Sequence, residues 1–183
     1  NSARKAMKLN ARAYNGQLVA PASKSHGQRL LLLVQLANKP CQISNLGTDR
    51  DTQAMQNALT TLRNNEKSAQ RALINVGESG FALRTLAFVA RCFCPSYQLT
   101  GSGTLLQRTH WATIQLLEQL GLDLVHQDGR LPIEVSGEIT NTRLEVDGTE
   151  GSQYVSGLFL MAAKQPGNWQ ITVKNLNSAA YFE

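Results

Sequence analysis

The sequence predicts an α/β (α+β) fold built from a recurring order of strand, helix, strand, helix, strand, strand. Short apolar strands alternate with longer apolar helices at a spacing suited to right-handed crossovers. Three of the helices open from loops of small residues: Pro21-Ala22-Ser23-Lys24-Ser25, Gly77-Glu78-Ser79-Gly80 and Gly148-Thr149-Glu150-Gly151-Ser152-Gln153.

Residues 8–14 read as a short strand closed by the turn Asn15-Gly16. Residues 23–37 form the first helix, and the run Leu30-Leu31-Leu32-Leu33-Val34 leaves it little polar face, so it is buried on most sides. Residues 41–46 are expected to be a strand. Thr48 or Asp49 then caps a helix reaching Asn64, with Ala54, Met55, Ala58, Leu59 and Leu62 on one stripe. Residues 64–70 form a polar loop, 72–76 a strand, and the second small-residue loop opens a helix reaching Phe93. The order then recurs, with a strand at 97–100, a helix at 105–120, and strands at 122–125 and 131–135 joined as a hairpin across Gln127-Asp128-Gly129. A strand at 144–146, a helix opened by the third loop and reaching Lys164, and a strand at 169–173 complete the pattern. A further helix starts at Ser178, and the sequence stops five residues later, so the chain reads as a piece of a longer polypeptide. The start, without Met, reads as a tag remnant or a trimmed end.

The composition, 42% hydrophobic over 183 residues, suits one buried domain with at most a stray element. Lys and Arg number 18 against 13 Asp and Glu, a net charge of +5. That excess is scattered and aromatics are 6%, which disfavours nucleic acid as a partner. A small anion fits better. No stretch approaches a membrane span and no signal peptide opens the chain, so a cytoplasmic protein without membrane partners is expected. Cys41, Cys92 and Cys94 match neither zinc nor disulfide spacing and read as buried small hydrophobes in a reducing compartment. His26, His110 and His126 lack cysteine or carboxylate partners at ligand spacing. No metal and no cofactor are expected.

A helix N-terminus offers unpaired N–H groups and a positive dipole end, and so accepts phosphate or carboxylate. One such loop is ordinary capping. Three, two of them followed one turn later by an arginine (Arg29 and Arg84), suggest helix starts that converge on an anionic substrate.

With these loops placed, the chain resembles the enolpyruvyl transferases, and among them the 5-enolpyruvylshikimate-3-phosphate synthases of the shikimate pathway. The resemblance runs from Leu18 onward. It rests on Pro21-Ala22-Ser23-Lys24-Ser25-His26-Gly27-Gln28-Arg29, and on Asn45-Leu46 with Asp51-Thr52 and Met55. Leu99-Thr100-Gly101, Arg108, Leu131-Pro132-Ile133, and Ser152-Gln153-Tyr154 with Leu160-Met161-Ala162 follow in the family's order.

The resemblance implies repeated βαβαββ units, with helices packed beneath mixed sheets, forming one lobe of a two-lobed architecture. Residues 1–19 would be a tail and first strand belonging to the opposite lobe. Residues 20–183 would be the lobe that binds shikimate phosphate, incomplete at its C-terminus. It implies transfer of enolpyruvyl from phosphoenolpyruvate to shikimate 3-phosphate with release of phosphate. The missing C-terminal lobe would be a partner, and would carry the family's acid/base aspartate, glutamate and second lysine, so this portion alone would be inactive. Lys24 and Arg108 would be the catalytic residues. Lys24 would touch both substrates, Ser25 and Arg29 the acceptor, Gly80 and Arg108 phosphoenolpyruvate, and Gly151, Ser152, Gln153, Ser178 and Tyr181 the shikimate phosphate and ring. Arg84 would support the second loop.

Several positions depart from the family pattern. Gly77-Glu78-Ser79-Gly80-Phe81 replaces Gly-Asn-Ala-Gly-Thr, so Glu78 brings a carboxylate towards an anion site and Phe81 puts bulk beside Gly80. Glu78 would either pair with an arginine or alter the pocket. Arg50-Asp51 replaces Asp-Asp, Gly151 replaces a serine, and Thr85 and Thr109 stand where proline is usual. A different acceptor, such as a UDP-sugar, is disfavoured by Lys24-Ser25-x3-Arg29. A non-catalytic anion-binding module is the alternative of another class, and the related RNA-end-processing fold is disfavoured by the dispersed charge.

Overall fold

The computed structural model describes residues 16–17, 19–37, 39–66, 68 and 70–177. The strand expected at 8–14 and the helix expected from Ser178 lie outside these residues. The described elements are α1 (Lys24–Ala37), α2 (Arg50–Asn65), β1 (Ala72–Asn75), α3 (Gly80–Val89), β2 (Tyr97–Thr100), α4 (Trp111–Gln119), β3 (Asp123–Gln127), β4 (Arg130–Ser136), β5 (Arg143–Asp147), α5 (Ser152–Ala162) and β6 (Gln170–Lys174). Short 3-10 turns occupy Ala90–Cys92, Gly103–Gln107 and Gly148–Glu150.

Residues 72–136 form one complete βαβαββ unit. Its sheet runs β1-β2-β4-β3, with β1 and β2 parallel and the other neighbours antiparallel. The parallel pair is joined through α3, and the β3–β4 hairpin turns at Asp128 (φ 49°) and Gly129 (φ 70°), the left-handed pair that a two-residue turn requires. A second β-α-β passage follows, β5 and β6 pairing in parallel around α5.

α3 is the axis of the core. Eight of its ten residues are buried, which no amphipathic surface helix would show. The sheet covers one side through Ile74, Tyr97 and Leu99, all fully buried. Tyr97 donates its hydroxyl hydrogen to the Ala87 carbonyl, giving the one polar atom of a buried ring a partner inside α3. On the other side α5 approaches closely: a Cβ placed on Gly157 would stand 3.0 Å from both Phe88 Cδ2 and Thr85 Cα. α2 adds Met55, Ala58, Leu59 and Leu62, the stripe expected from sequence, while Ala54 sits at its half-buried margin. Its cap is Asp49, whose carboxylate accepts from the Thr52 amide (3.1 Å) and hydroxyl (2.7 Å).

The first helix is not buried on most sides, since Leu33 is 49% exposed and Leu30, Leu31 and Val34 are half-buried, and two expected elements differ. Residues 41–46 are not a strand: Asn45 has φ 54°, which breaks an extended run, and the segment pairs with no described strand. The helix expected over 105–120 is broken in two. His110 donates its backbone N–H to the Gly129 carbonyl (2.7 Å), and its ring nitrogen Nε2 lies 3.1 Å from the Leu105 carbonyl. The tip of the hairpin thus captures the chain between the Gly103–Gln107 turn and α4. The cysteines differ as well. Cys94 is buried, Cys92 is half-buried with its thiol pushed up to about 11 by burial, and Cys41 is exposed.

Gly157→Leu is expected to lower unfolding free energy by about 1–3 kcal/mol, because α3 cannot move away from the added side chain without opening the sheet side. Urea denaturation checks this, with Ser156→Ala, one residue away, expected to stay within about 1 kcal/mol of the parent. Burial lowers the pKa of His110 below its ordinary 6.5, with Arg84 and Arg108 adding to the shift. The unfolded chain therefore takes up this proton more readily, and stability falls as pH drops below about 6.5 towards the folded value. His110→Gln should flatten that part of a stability–pH curve measured by thermal melts.

Candidate functional site

The four main helices share a direction. The last turns of α1 and α2, the 3-10 turn after α3 and the end of α5 meet around one cleft of about 550 Å³, lined by Leu36, Arg63, Cys92, Phe93 and Lys164 among others. Helix C-termini carry negative dipole ends, and Lys39, Arg63 and Lys164 at this cleft suit those carbonyls. The corresponding first turns gather at the opposite end, where every small-residue loop singled out from sequence is found.

Side chains link these first turns in series. At the head of α1, the Lys24 ammonium pairs with Asp51 in the first turn of α2 (2.8 Å). This bond, helped by the negative charge of Asp51 and Asp49, raises the Lys24 pKa and keeps it charged. Arg29, one turn further on, donates to the Ser25 carbonyl (3.2 Å) and lays its guanidinium 4.9 Å from the centre of the Phe81 ring, at the start of α3. Arg84, one turn into α3, donates from Nε to the Tyr154 hydroxyl (2.8 Å) and from a terminal nitrogen to Gln153 Oε1 (2.9 Å), at the start of α5. The arginine of each opening therefore reaches the next.

Between α3, α5 and the broken segment lies a cleft of about 260 Å³, lined by Gly80, Leu83, Arg84, Leu105, Arg108, Thr109, His110, Trp111, Ala112 and Tyr154. It holds two arginines and no carboxylate. His110 is buried with its pKa lowered, so near neutral pH it adds little charge. The break after the Gly103–Gln107 turn is what brings Arg108 here, since a continuous helix over 105–120 would have carried it along a helical face. Ser79 caps α3 by accepting from the Ala82 amide (3.1 Å). The amides around Gly80 and the dipole of α3 thus meet the two guanidinium groups at one anion-receptive place.

The residues singled out from sequence divide accordingly. Gly80 and Arg108 share the cleft, Gln153 joins it through Arg84, and Arg29 joins through Phe81, the neighbour of Gly80. Ser25 is half-buried in the first turn of α1, and Lys24 is engaged by Asp51. Gly151, with φ 108°, ends the third loop, and Ser152 behind it is buried. Ser178 and Tyr181 lie outside the described residues. Arg84 is more than a support for its own loop, since it ties that loop to the third. Glu78 neither meets an arginine among the described residues nor lines the cleft: its carboxylate accepts from the Thr104 amide (3.4 Å), at the start of the 3-10 turn. Phe81, Tyr154 and Trp111 were not singled out as site residues. Only the arginine spacing in the two helices hinted that partners for those side chains exist.

No helix among the described residues is long and apolar enough to cross a membrane, and no group of three or more potential metal ligands occurs among them. The family model for EPSP synthase (3-phosphoshikimate 1-carboxyvinyltransferase) matches residues 10–183. Relatives with the name 3-phosphoshikimate 1-carboxyvinyltransferase include one from Nitrosopumilus maritimus, 26% identical over 96% of this chain and 45% of the relative. Another, from Chlamydia felis, is 28% identical over 97% of this chain and 44% of the relative. The chain thus spans a little under half the length of these curated relatives. The fold is similar to that of EPSP synthase from Acinetobacter baumannii, with a TM-score of 0.72 and 17% identity over 88% of this chain and 41% of that one. On the family match, which takes in all but the first nine residues, the chain belongs to the EPSP synthase family.

Proposed function

We propose that this chain is the acceptor-binding lobe of a 3-phosphoshikimate 1-carboxyvinyltransferase. That enzyme transfers enolpyruvyl from phosphoenolpyruvate to shikimate 3-phosphate and releases phosphate, in the cytoplasm, on the way to aromatic amino acids. The observation that carries this is the cleft joining Gly80, Arg84 and Arg108, whose lining holds two arginines and no carboxylate. Residues 20–183 are assigned to this lobe, and residues 1–19 to the opposite one. The acid/base groups belong to the C-terminal lobe, the chain's partner in catalysis.

Phosphoenolpyruvate sits at the cleft, its carboxylate against the backbone of Gly80 and its phosphate or carboxylate clamped by Arg108. The guanidinium fork suits both groups. Gly80 has room for a side chain among its protein neighbours, since an added Cβ meets nothing nearer than an Arg84 terminal nitrogen at 3.8 Å. Packing thus does not demand glycine there, whereas a closely approaching ligand does. Shikimate 3-phosphate lies across the helix starts, its carboxylate on Arg29 and its phosphate on Ser152, Gln153 and the Gly151 loop, with Ser178 and Tyr181 completing that end. Lys24 stands where the two substrates meet. It is held as an ammonium by Asp51, so it offers positive charge to the departing phosphate rather than acting as a base.

Calorimetric titration of the chain with shikimate 3-phosphate is expected to show weak saturable binding, and Arg29→Ala to weaken it by about 10- to 100-fold, as loss of a charge-assisted pair does. Absence of binding by the folded parent would instead favour the non-catalytic module. Gly80→Ala should leave thermal stability unchanged or slightly higher, since alanine suits a helix better by about 0.5–1 kcal/mol. The same change should weaken phosphoenolpyruvate by about tenfold or more and spare shikimate 3-phosphate. Fluorescence of Trp111, which lines the cleft, can follow both titrations.

A further inference from the structure

Phe81 replaces a small polar residue of the family pattern beside Gly80, yet it does not fill the cleft: it is 92% buried in the core, 8% exposed. One face of its ring instead receives the guanidinium of Arg29, 4.9 Å from the ring centre. The same guanidinium donates to the Ser25 carbonyl at 3.2 Å. These two contacts act on different parts of the group. The hydrogen bond anchors one terminal nitrogen to the first turn of α1. The ring restrains the position of the group, because a guanidinium over an aromatic face is attracted to its negative quadrupole and loses that contact when it swings away. A planar fork binds a carboxylate with two parallel hydrogen bonds only when its plane and edge are both set. An unsupported arginine would give up several rotatable bonds on binding, at a cost in side-chain entropy.

We propose that Phe81 is a positioning residue for carboxylate recognition, its ring holding the Arg29 guanidinium in the position that receives the acceptor's carboxylate. This rests on the acceptor-lobe reading of Arg29 and adds to it a residue from another helix. Through Phe81 the second loop, which faces phosphoenolpyruvate, also sets the geometry for the other substrate. A hydroxyl or an aliphatic group at this position offers no such face.

The test is calorimetry on the full chain with two probes: shikimate 3-phosphate, and its analogue in which the ring carboxylate is reduced to a hydroxymethyl group. Phe81→Leu is expected to weaken shikimate 3-phosphate by about tenfold, within the range that a desolvated cation–π contact supplies, and to leave the analogue within about twofold. Phe81→Tyr, which keeps the ring, should retain parental affinity for both. Phe81→Met serves the same purpose as the leucine variant if that one melts below the working temperature. Equal losses for both probes would overturn the proposal in favour of a general distortion of α3, and so would an unchanged affinity for shikimate 3-phosphate. Failure of the parent chain to bind shikimate 3-phosphate would overturn the acceptor-lobe reading itself, an outcome visible before any variant is made.

Discussion

Burial of α3 on every side is the constraint from which the site follows. A helix with eight of ten residues out of water needs a sheet on one flank and helices on the others, and a crossover between parallel strands supplies that arrangement. Because β1 and β2 run in parallel, α3 must run against them. The covering helices share its direction, so four positive dipole ends collect together and four negative ends collect at the far cleft. Placing like dipole ends side by side is unfavourable in itself. At the far end, Lys39, Arg63 and Lys164 offset it, opposed by the single acid Glu66. At the near end, Asp49 and Asp51 offset it for α2, while the first turns of α3 and α5 contain no acidic residue and share the cation Arg84. That asymmetry is stable only because protein contacts hold the cations, and it leaves a place where an anion would relieve the repulsion.

Local chemistry made much of the fold legible. The Asp128-Gly129 hairpin, the Asp49 cap and the stripe from Met55 to Leu62 are each set by residues a few positions apart, and each was readable from sequence. The two misjudged elements depend on distant chain. An apolar helical pattern runs through 105–120, and what breaks it is a carbonyl at the hairpin tip, Gly129, reaching His110. Residues 41–46 have strand-like composition, but Asn45 turns left-handed and no described strand lies alongside. The openings of the site were legible by the same logic, since caps and glycines are local. Their cross-links were not. Nothing in the spacing of Arg29 says that its guanidinium meets an aromatic ring 52 positions on, nor that Arg84 meets an amide and a phenol across the core.

Glu78 shows how a departure from a family pattern can be harmless to charge. A carboxylate in an anion-binding loop looks disruptive on the page of a sequence. In the fold, Gly103 adopts φ 55° directly beneath it, and the carboxylate turns to the Thr104 amide and away from Gly80. It caps the short turn whose Leu105 lines the cleft, and leaves the lining itself free of negative groups.

The kinds of partner chosen for the arginines carry the last step. On the open face of the sheet, Arg71 pairs with Glu134, a carboxylate that cancels its charge. At the helix starts, Arg84 is held by a phenol and an amide, and Arg29 makes its described contacts with a carbonyl and a ring. Neutral partners fix geometry without neutralising charge. An arginine oriented by a carboxylate would have to give up that partner before receiving a substrate anion, and the exchange would return little. An arginine oriented by a phenol and an amide, as Arg84 is, is not neutralised by those partners while having already lost much of its freedom. Lys24, paired to Asp51, is the exception: that carboxylate raises its pKa and holds it as an ammonium. The distinction between neutral and ionic supports thus separates Arg84, oriented by a phenol and an amide, from Lys24 and Arg71, each paired to a carboxylate.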